Sequence, residues 1–370
     1  MDKELRIIIS GGGTGGHIFP AVSIANAIKA KRPDAKILFV GANGRMEMQR
    51  VPAAGYEIVG LPVRGLFRPL YNLKNIGVMI DFFKSKKQIK EVIKKFAPQV
   101  AVGVGGYASA PTLNAAYTLG VPCLIQEQNS YAGVTNKSLA KKAKKICVAY
   151  EGMERFFPAD RLMLTGNPVR QGLLNPDLKK SDCAATFGMT IDKPIILLVG
   201  GSLGARTLNN SVLRNLDKIA ASPVQLIWQT GGYYSKNIQE ELALKGKPAN
   251  LFVTDFISKM DEAYAAADLV ISRAGASSIS ELCLLGKPSI LVPSPNVAED
   301  HQTHNAMALV NKDAALLVKD ADAEQTLLPL AIETVADTTR LKTLGENARE
   351  MAFKESANVI ADEVLKLAEE

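Results

Sequence analysis

Residues 6–17 read RIIISGGGTGGH, and residues 195–206 read IILLVGGSLGAR. In both stretches an apolar, strand-like run leads into a glycine-rich turn and then into the start of a helix. Glycines let an anion approach the main chain, and the free amides of a helix N-terminus face it with about half a unit of positive charge. Two such turns predict two nucleotide-type α/β halves that face a shared cleft.

The composition is that of an ordinary globular protein. The chain has 370 residues, 47% of them apolar and 22% charged, which suits two domains and argues against disorder. Residues 1–4 are polar and the apolar run after them is too short for a signal peptide. The four cysteines form no CxxC pair, which favours reduced thiols over a disulfide framework or a zinc site.

Residues 97–126 contain no charged side chain, yet their glycines and prolines predict a strand, a loop, a helix and a second strand rather than a membrane span. Similar strand and helix patterns alternate along the whole chain, which is typical of parallel α/β sheets. We place a first domain at residues 1–166 and a second at 167–344, joined near Gly166–Pro168. Residues 338–367 are predicted to form one long amphipathic helical run, and a C-terminal helix of about residues 345–370 is predicted to join the first domain.

The first turn satisfies GxGxxG, so a dinucleotide site must be considered. Such a site needs an acidic residue at the end of the second strand to bind a ribose hydroxyl. Here that strand ends in Gly41-Ala42-Asn43, and no carboxylate is available there. The sequence therefore disfavours NAD binding.

Several polar residues follow predicted strands, where α/β sheets place their ligands. His17 opens the helix after the first turn and suits a general base, or else it packs or caps the helix. Glu281 suits a pair of vicinal hydroxyls, or else it favours a helix start that Ser277 caps. His301 and His304 have metal-like spacing, but Gln302 beside them suits sugar hydroxyls better. Polar amides at 126–129 and 135–136 suit a sugar or a peptide, and Arg170 lies at the hinge.

Positive charge is concentrated in the first half. The chain carries a net charge of +7, and residues 61–96 alone contain nine basic and two acidic side chains. Apolar residues between these lysines predict a patch for an anionic membrane surface, or else an ordinary solvated basic helix face. No nucleic-acid motif accompanies the charge. The predicted membrane patch comprises Phe67, Ile76, Met79, Phe82, Phe83, Lys84, Lys86 and Lys87.

A set of short motifs follows one another along the chain. They are Gly-Gly-Thr-Gly-Gly-His at 12–17, Gly-Gly-Tyr at 105–107, Glu-Gln-Asn at 127–129, Thr-Asn at 135–136, Gly-Asn-Pro-Val-Arg at 166–170, Gly-Gly-Ser-Leu-Gly-Ala at 200–205, Arg-Ala-Gly-Ala at 273–276, Ser-Glu at 280–281 and His-Gln-Thr at 301–303. In this order they resemble the MurG family, the undecaprenyldiphospho-muramoylpentapeptide β-N-acetylglucosaminyltransferases, and the resemblance runs essentially end to end.

The resemblance implies a GT-B fold: two Rossmann-like domains with parallel sheets facing an interdomain cleft. It implies a transferase that moves N-acetylglucosamine from UDP-N-acetylglucosamine to the C4 hydroxyl of lipid I, giving lipid II for peptidoglycan. His17 is the expected catalytic base. The implied donor-binding residues are Thr14, Gly15, Gly16, Asn129, Arg170, Ser202, Ile257, Ala276, Ser277, Ser278, Ile279, Ser280, Glu281 and Gln302. The implied acceptor-binding residues are Gly13, Thr14, Gly15, His17, Gly105, Tyr107, Asn129 and Asn136.

The expected mechanism is a direct displacement with inversion, in which main-chain amides stabilise the departing diphosphate. No Asp-x-Asp metal motif stands out, and we expect neither a metal nor a tightly bound cofactor. The expected partners are UDP-N-acetylglucosamine, lipid I and an anionic membrane surface, without nucleic acid, at the cytoplasmic face of the inner membrane. Two alternatives stay open: a UDP-N-acetylglucosamine epimerase of the same fold, and a non-catalytic nucleotide-sugar or membrane-binding module.

Overall fold

The computed structural model describes residues 4–65, 72–169, 172–201 and 203–370. The chain divides into two compact units, one of Met1–Arg170 with Phe353–Glu370 and the other of Gln171–Ala352. Each unit has its own parallel sheet with helices around it. The prediction of two Rossmann-like domains is therefore confirmed.

The first unit is built on a seven-stranded sheet of order β3-β2-β1-β4-β5-β6-β7. Its strands are rich in Ile and Val because both faces of a parallel sheet are covered, and Ile7, Ile8 and Ile9 are fully buried. The strands are β1 (Arg6–Ser10), β2 (Lys36–Ala42), β3 (Glu57–Leu61), β4 (Val100–Gly103), β5 (Cys123–Glu127), β6 (Lys145–Val148) and β7 (Leu162–Leu164). The helices are α1 (Gly15–Lys31), α2 (Glu47–Ala53), α3 (Lys74–Phe96), α4 (Ser109–Thr118) and α5 (Val134–Leu139).

The second unit has a six-stranded sheet of order β10-β9-β8-β11-β12-β13. The strands are β8 (Ile195–Val199), β9 (Gln225–Gln229), β10 (Leu251–Thr254), β11 (Leu269–Ser272), β12 (Ser289–Leu291) and β13 (Leu316–Leu317). The helices are α6 (Lys180–Thr186), α7 (Arg206–Arg214), α8 (Leu216–Ala221), α9 (Ser235–Lys245), α10 (Met260–Ala266), α11 (Ala276–Leu285), α12 (His301–Val310), α13 (Asp320–Ala336) and α14 (Thr338–Glu350); α15 (Ser356–Glu369) belongs to the first unit.

The strand order reverses between β1 and β4 and again between β8 and β11. Ligands of open α/β sheets bind at the carboxyl ends of the strands beside such a reversal. Both glycine turns lie there, and their close packing requires glycine. A Cβ on Gly106 (φ +86°) would lie 2.4 Å from the Gly12 carbonyl oxygen, and one on Gly204 (φ +84°) would lie 2.1 Å from the Thr230 carbonyl oxygen.

The prediction of one long helix over residues 338–367 is wrong, because the helix is interrupted between Glu350 and Ser356. Helix α14 packs on α11 in the second unit, and α15 packs on α1 in the first. Ile360 and Val364 of α15 share a hydrophobic cluster with Ile24 and Ile28 of α1. The two halves of this segment serve different cores, so the segment cannot continue as one straight helix.

Candidate functional site

The buried carboxylate of Glu47 forms hydrogen bonds with main-chain amides of the first glycine turn and of the end of β2. Glu47 is fully buried at the start of α2, and its Oε2 accepts from the Gly13 amide at 2.9 Å. Its Oε1 accepts from the Ala42 amide at 3.0 Å, at the end of β2. A Cβ on Gly12 would lie 2.2 Å from Oε1, so the turn is shaped around this carboxylate.

The sequence predicts no carboxylate at the end of the second strand, but the fold brings the carboxylate of Glu47 there. Both of its oxygens are bound to main-chain amides of the protein itself. The carboxylate therefore fixes the turn and does not have the role of a ribose-binding acid. It also occupies the Gly13 amide, so any anion at this turn meets the amides that follow.

His17 lies in the first turn of α1, and its hydrogen bonds define its tautomer. Its Nδ1 is 3.0 Å from the Gly12 carbonyl oxygen, which can only accept, so Nδ1 carries the proton. In the neutral ring the basic lone pair is then on Nε2. A Cβ on Gly105 would lie 2.9 Å from Nε2, which places this nitrogen against the turn after β4.

A second buried carboxylate, Glu127 at the end of β5, organises the loop that follows. Its Oε1 accepts from the Asn129 amide at 3.1 Å, and its Oε2 accepts from the Gly133 amide at 3.0 Å. Oε2 also accepts from Asn136 Nδ2 at 2.9 Å, and Asn136 is itself 2% exposed. This bond sets the orientation of the Asn136 side-chain amide. The buried Oδ1 of Asn136 has no hydrogen-bond partner among the described residues.

The structure brings His17, Gly105 and Asn136 together. A Cβ on Gly105 would lie 3.8 Å from Asn136 Nδ2 as well as against His17. Thr14 Oγ1 is 3.3 Å from His17 Nδ1, and Gly15 and Gly16 open α1, where N–H groups have no helical acceptor. Tyr107 is 46% exposed and lies against Gly65.

The second glycine turn is braced by amide side chains. Gln229 Nε2 donates to the carbonyl oxygens of Gly201 at 2.9 Å and of Asp255 at 3.0 Å, joining the turns after β8 and β10. Asn209 Nδ2 donates to the Thr230 carbonyl oxygen at 2.9 Å, and its Oδ1 accepts from the buried Trp228 indole at 3.0 Å. These bonds keep three neighbouring loops in one arrangement. Arg170 and Ser202, two predicted donor residues, lie outside the described residues.

Helix α11 begins at the strand-order reversal of the second sheet. Gly275 is its N-cap, so the idea that Ser277 caps the helix is wrong; the buried Ser277 Oγ has no partner among the described residues. Glu281 is 6% exposed and accepts from the Tyr264 hydroxyl at 3.1 Å. Ser280 donates to the Ala276 carbonyl oxygen at 3.0 Å, and the Ile279 side chain is buried.

The remaining predicted donor residues differ in exposure. Ala276 and Ile257 are buried, whereas Ser278 is half-buried. Gln302 Oε1 accepts from the Ser294 amide at 2.8 Å, which links α12 to the loop after β12.

Residues 320–322 read Asp-Ala-Asp, so the expectation that the chain has no Asp-x-Asp motif is wrong. Asp320 is paired with Arg273 at 2.5 Å and accepts from the Thr207 hydroxyl at 3.0 Å. The carboxylate of Asp320 is thus bound by side chains of the protein itself. In the described part of the chain, no group of three or more His, Cys, Asp and Glu side chains is arranged to hold a metal ion.

Helix α3 carries the described part of the predicted membrane patch; Phe67 lies outside the described residues. Ile76, Met79 and Phe83 are 62%, 48% and 61% exposed, and Phe82, in edge contact with Phe83, is half-buried. Lys84 and Lys87 are exposed, and Lys86 is half-buried. Among the described residues, no helix combines the length and the apolar character that crossing a bilayer requires.

The chain is similar to known glycosyltransferases in both of its units. The glycosyltransferase family 28 N-terminal domain matches residues 7–148, and the family 28 C-terminal domain matches residues 195–364. A protein of Phocaeicola vulgatus is 63% identical, covering 100% of this chain and 98% of its own, and one of Bacteroides thetaiotaomicron is 62% identical, covering 100% and 99%. Both are named UDP-N-acetylglucosamine–N-acetylmuramyl-(pentapeptide) pyrophosphoryl-undecaprenol N-acetylglucosamine transferase.

The crystal structure of Acinetobacter baumannii MurG superposes with a TM-score of 0.78 at 28% identity, covering 98% of this chain and 99% of that one. The chain belongs to the MurG family. It is a glycosyltransferase with the GT-B fold, as the sequence motifs predict. The full-length match to MurG-family transferases does not favour the epimerase alternative.

The sequence alone does not indicate the roles of Glu47 and Glu127. Glu47 stands alone between Met46 and Met48, and only its burial shows that it binds the first turn. Glu127 is part of a quoted motif, but its role as the anchor of Asn129 and Asn136 depends on their spatial arrangement. An acidic residue among apolar neighbours was the one available signal for Glu47.

Proposed function

We propose that this protein transfers N-acetylglucosamine from UDP-N-acetylglucosamine to the muramyl sugar of a pyrophosphoryl-undecaprenol acceptor, the step that makes lipid II for peptidoglycan. The observation that carries the proposal is the 63% identity to a transferase so named, across the whole of this chain. The two glycine turns support it, because donor and acceptor each contain a diphosphate.

The second unit would hold the donor. The N-terminus of α11 offers amides to a diphosphate, together with Ser277 Oγ, which has no hydrogen-bond partner in the described part of the chain; this is a favourable setting for negative charge. Glu281 suits the ribose hydroxyls, and Gln302 suits the hydroxyls of the transferred sugar. The remaining donor assignments are Ile257, Ala276, Ser278, Ile279 and Ser280, together with Arg170 and Ser202 outside the described residues.

The first unit would hold the acceptor. Gly15 and Gly16 offer amides at the start of α1, while Gly13 shapes the turn because its own amide binds Glu47. Asn136 Oδ1 is suited to accept a hydrogen bond from the acceptor. The other acceptor assignments are Thr14, Gly105, Tyr107 and Asn129; the expected donor contacts of Thr14, Gly15, Gly16 and Asn129 remain part of this proposal.

The proposed chemistry is a displacement with inversion. His17 Nε2 takes the proton from the acceptor C4 hydroxyl as its oxygen attacks the anomeric carbon, and the bond from that carbon to the UDP oxygen breaks. Negative charge grows on the departing diphosphate, where preorganised amides stabilise it most. The hydrogen bond from Nδ1 to the Gly12 carbonyl keeps the ring in the tautomer that a base requires.

We further propose that the protein binds peripherally to the cytoplasmic face of the inner membrane through the basic and apolar surface of α3. The exposed Ile76, Met79 and Phe83 would enter the interface, and the neighbouring lysines would meet anionic headgroups. A lipid-linked acceptor makes such binding useful, because it brings the enzyme to its substrate.

The test is a turnover assay with UDP-N-acetylglucosamine and a short-prenyl analogue of the pyrophosphoryl-muramyl-peptide acceptor. We expect UDP release to require the acceptor and to yield a β-linked disaccharide, and His17→Ala to lower kcat by about 10²- to 10⁴-fold with an unchanged melting temperature. Conversion of the donor without acceptor would instead show an epimerase. Wild-type activity in His17→Ala would reject this base.

A further inference from the structure

Two cations are fixed on aromatic rings at the carboxyl edge of the first sheet. Lys137 Nζ lies 4.9 Å from the ring centroid of Tyr131 and 5.6 Å from that of Phe156. The Arg155 guanidinium lies 4.8 Å from the same Phe156 centroid, and the two rings pack edge to face at 4.8 Å. We call Tyr131, Lys137, Arg155 and Phe156 the cation–aromatic cluster.

The cluster is attached to the loop that carries the proposed acceptor residues. Arg155 Nη2 donates to the Ser130 carbonyl oxygen at 2.9 Å, so the segment after β6 is tied to the loop after β5. Glu127 holds the same loop from inside through the amides of Asn129 and Gly133. Lys137 directly follows Asn136 in α5. Lys137 and Arg155 therefore lie on, or are bonded to, the same loop and helix that carry Asn129 and Asn136.

Neither cation is neutralised within the described residues: the ion pairs there include neither Lys137 nor Arg155. Resting on a ring restricts a long side chain before any ligand arrives, and it leaves the N–H groups of the cation available for an anion. A guanidinium in particular matches a carboxylate in a two-point contact. Two cations that rest on rings and form no ion pair with a described residue make a site suited to carboxylate.

We propose that the cation–aromatic cluster binds a carboxylate of the acceptor's peptide. The inference rests on the proposed function, since it concerns the same acceptor. A pentapeptide linked to the muramyl group through its amino end keeps a free carboxyl end. The sugar would sit at Asn129 and Asn136, and the peptide would extend over Lys137 and Arg155.

The test compares two soluble short-prenyl acceptors that differ only in the peptide's carboxyl groups, free in one and amidated in the other. The wild-type enzyme should use the free form with a higher kcat/KM, by about fivefold to tenfold for a partly exposed charge-assisted contact. In Lys137→Gln with Arg155→Gln, this preference should fall to about one through a higher KM, with kcat on the amidated acceptor unchanged.

Lys141→Gln with Lys144→Gln is the matched control, because it removes the same charge from the same stretch of chain. It should keep the preference for the free peptide. Equal use of both acceptors by the wild type would overturn the inference, as would the same loss in the control pair, which would indicate general electrostatic attraction. A variant that keeps the preference but binds anionic vesicles less would assign the cluster to lipid. Absence of turnover by the wild type with either acceptor would instead count against the proposed function.

Discussion

At the scale of single residues, two buried carboxylates position the loops around the proposed acceptor site. Glu47 and Glu127 each accept from main-chain amides of a loop at the carboxyl edge of the first sheet. The glycine turns were predictable because their composition is local. The role of Glu47 was not, because its partner Gly13 is 34 residues away and only the fold brings them together.

Replacing Glu47 by Gln should disorder the first glycine turn. The amide keeps one acceptor and turns an NH₂ group toward a main-chain N–H, leaving a buried donor unsatisfied at a cost of about 1–3 kcal/mol. We expect a lower melting temperature and a KM for the lipid acceptor raised by about tenfold, with the KM for UDP-N-acetylglucosamine unchanged. Steady-state kinetics with each substrate varied in turn measure this.

Glu57→Gln removes the same charge from an exposed position on β3 and serves as the control. It should leave both KM values and the melting temperature unchanged. An equal rise of both KM values in Glu47→Gln would contradict a role confined to the first turn.

Lys287 should give the second unit a distinctive pH dependence. Burial lowers the pKa of Lys287 from its ordinary value of 10.5 to about 8, and its Nζ donates to the Ala267 carbonyl oxygen at 2.8 Å. Between pH 8 and 10.5 the unfolded chain keeps a proton that the folded protein has lost, so this residue makes stability rise with pH, by at most about 1.4 kcal/mol per unit. Below pH 8 both states are protonated and the contribution is flat.

Urea unfolding of the wild type and of Lys287→Met across pH 7–10 measures this effect, since other titrating groups cancel in the difference. The wild type should gain on the variant as the pH rises above 8. A difference that stays constant over this range would show that Lys287 keeps its ordinary pKa in the fold.

At the scale of secondary-structure elements, local pattern predicted most of the molecule. The apolar runs at 6–10, 145–148 and 269–272 form strands, because buried parallel strands are continuous apolar segments. The segment 338–367 misled because its periodicity continues through Met351–Glu355. Gly345 of α14 packs against Gly286 within the second unit, whereas Phe353 packs against Gly166 within the first unit. The hydrophobic core against which a turn of helix packs is set by the tertiary structure, and the local sequence pattern does not show it.

The exposed apolar face of α3 predicts a membrane-binding defect that can be separated from folding. Ile76→Asp with Phe83→Asp removes two exposed apolar side chains and adds negative charge, so partitioning onto anionic vesicles should fall by at least about tenfold. Co-sedimentation with vesicles containing phosphatidylglycerol measures this, and raising the salt concentration should weaken wild-type binding.

Leu244→Asp is the control for α3, because Leu244 is 85% exposed on α9 of the second unit. It should bind vesicles as the wild type does. If the α3 variant also binds normally, its basic and apolar face is an ordinary solvated surface.

At the scale of the whole molecule, one strand-order rule is used twice. Both sheets reverse their order beside a glycine turn, and in both units the candidate side chains gather at the carboxyl ends of the strands. The chain leaves the first unit, completes the second and returns with α15 to finish the first core. The amphipathic pattern of the C-terminal segment does not mark Phe353 as the residue at which the chain rejoins the first unit.

The returning helix should stabilise the first unit selectively. Ile360→Ala removes a fully buried side chain that shares a cluster with Ile24 and Ile28, at a cost of about 2–4 kcal/mol. Hydrogen exchange should speed up in α1 and β1 while β8 and β11 stay protected. Val359→Ala, at a 37% exposed position of the same helix, should leave exchange unchanged. Faster exchange throughout the second unit in Ile360→Ala would contradict this assignment.

The late position of α15 has a consequence for biosynthesis. A ribosome releases the first 170 residues long before it has translated Ile360, Val364 and Leu367, which cover the apolar side of α1. Until residues 353–370 have been synthesised, the nascent N-terminal unit lacks the helix that covers this hydrophobic surface. The core of the first unit can therefore be completed only after the second unit has been synthesised, even though its sheet is synthesised first.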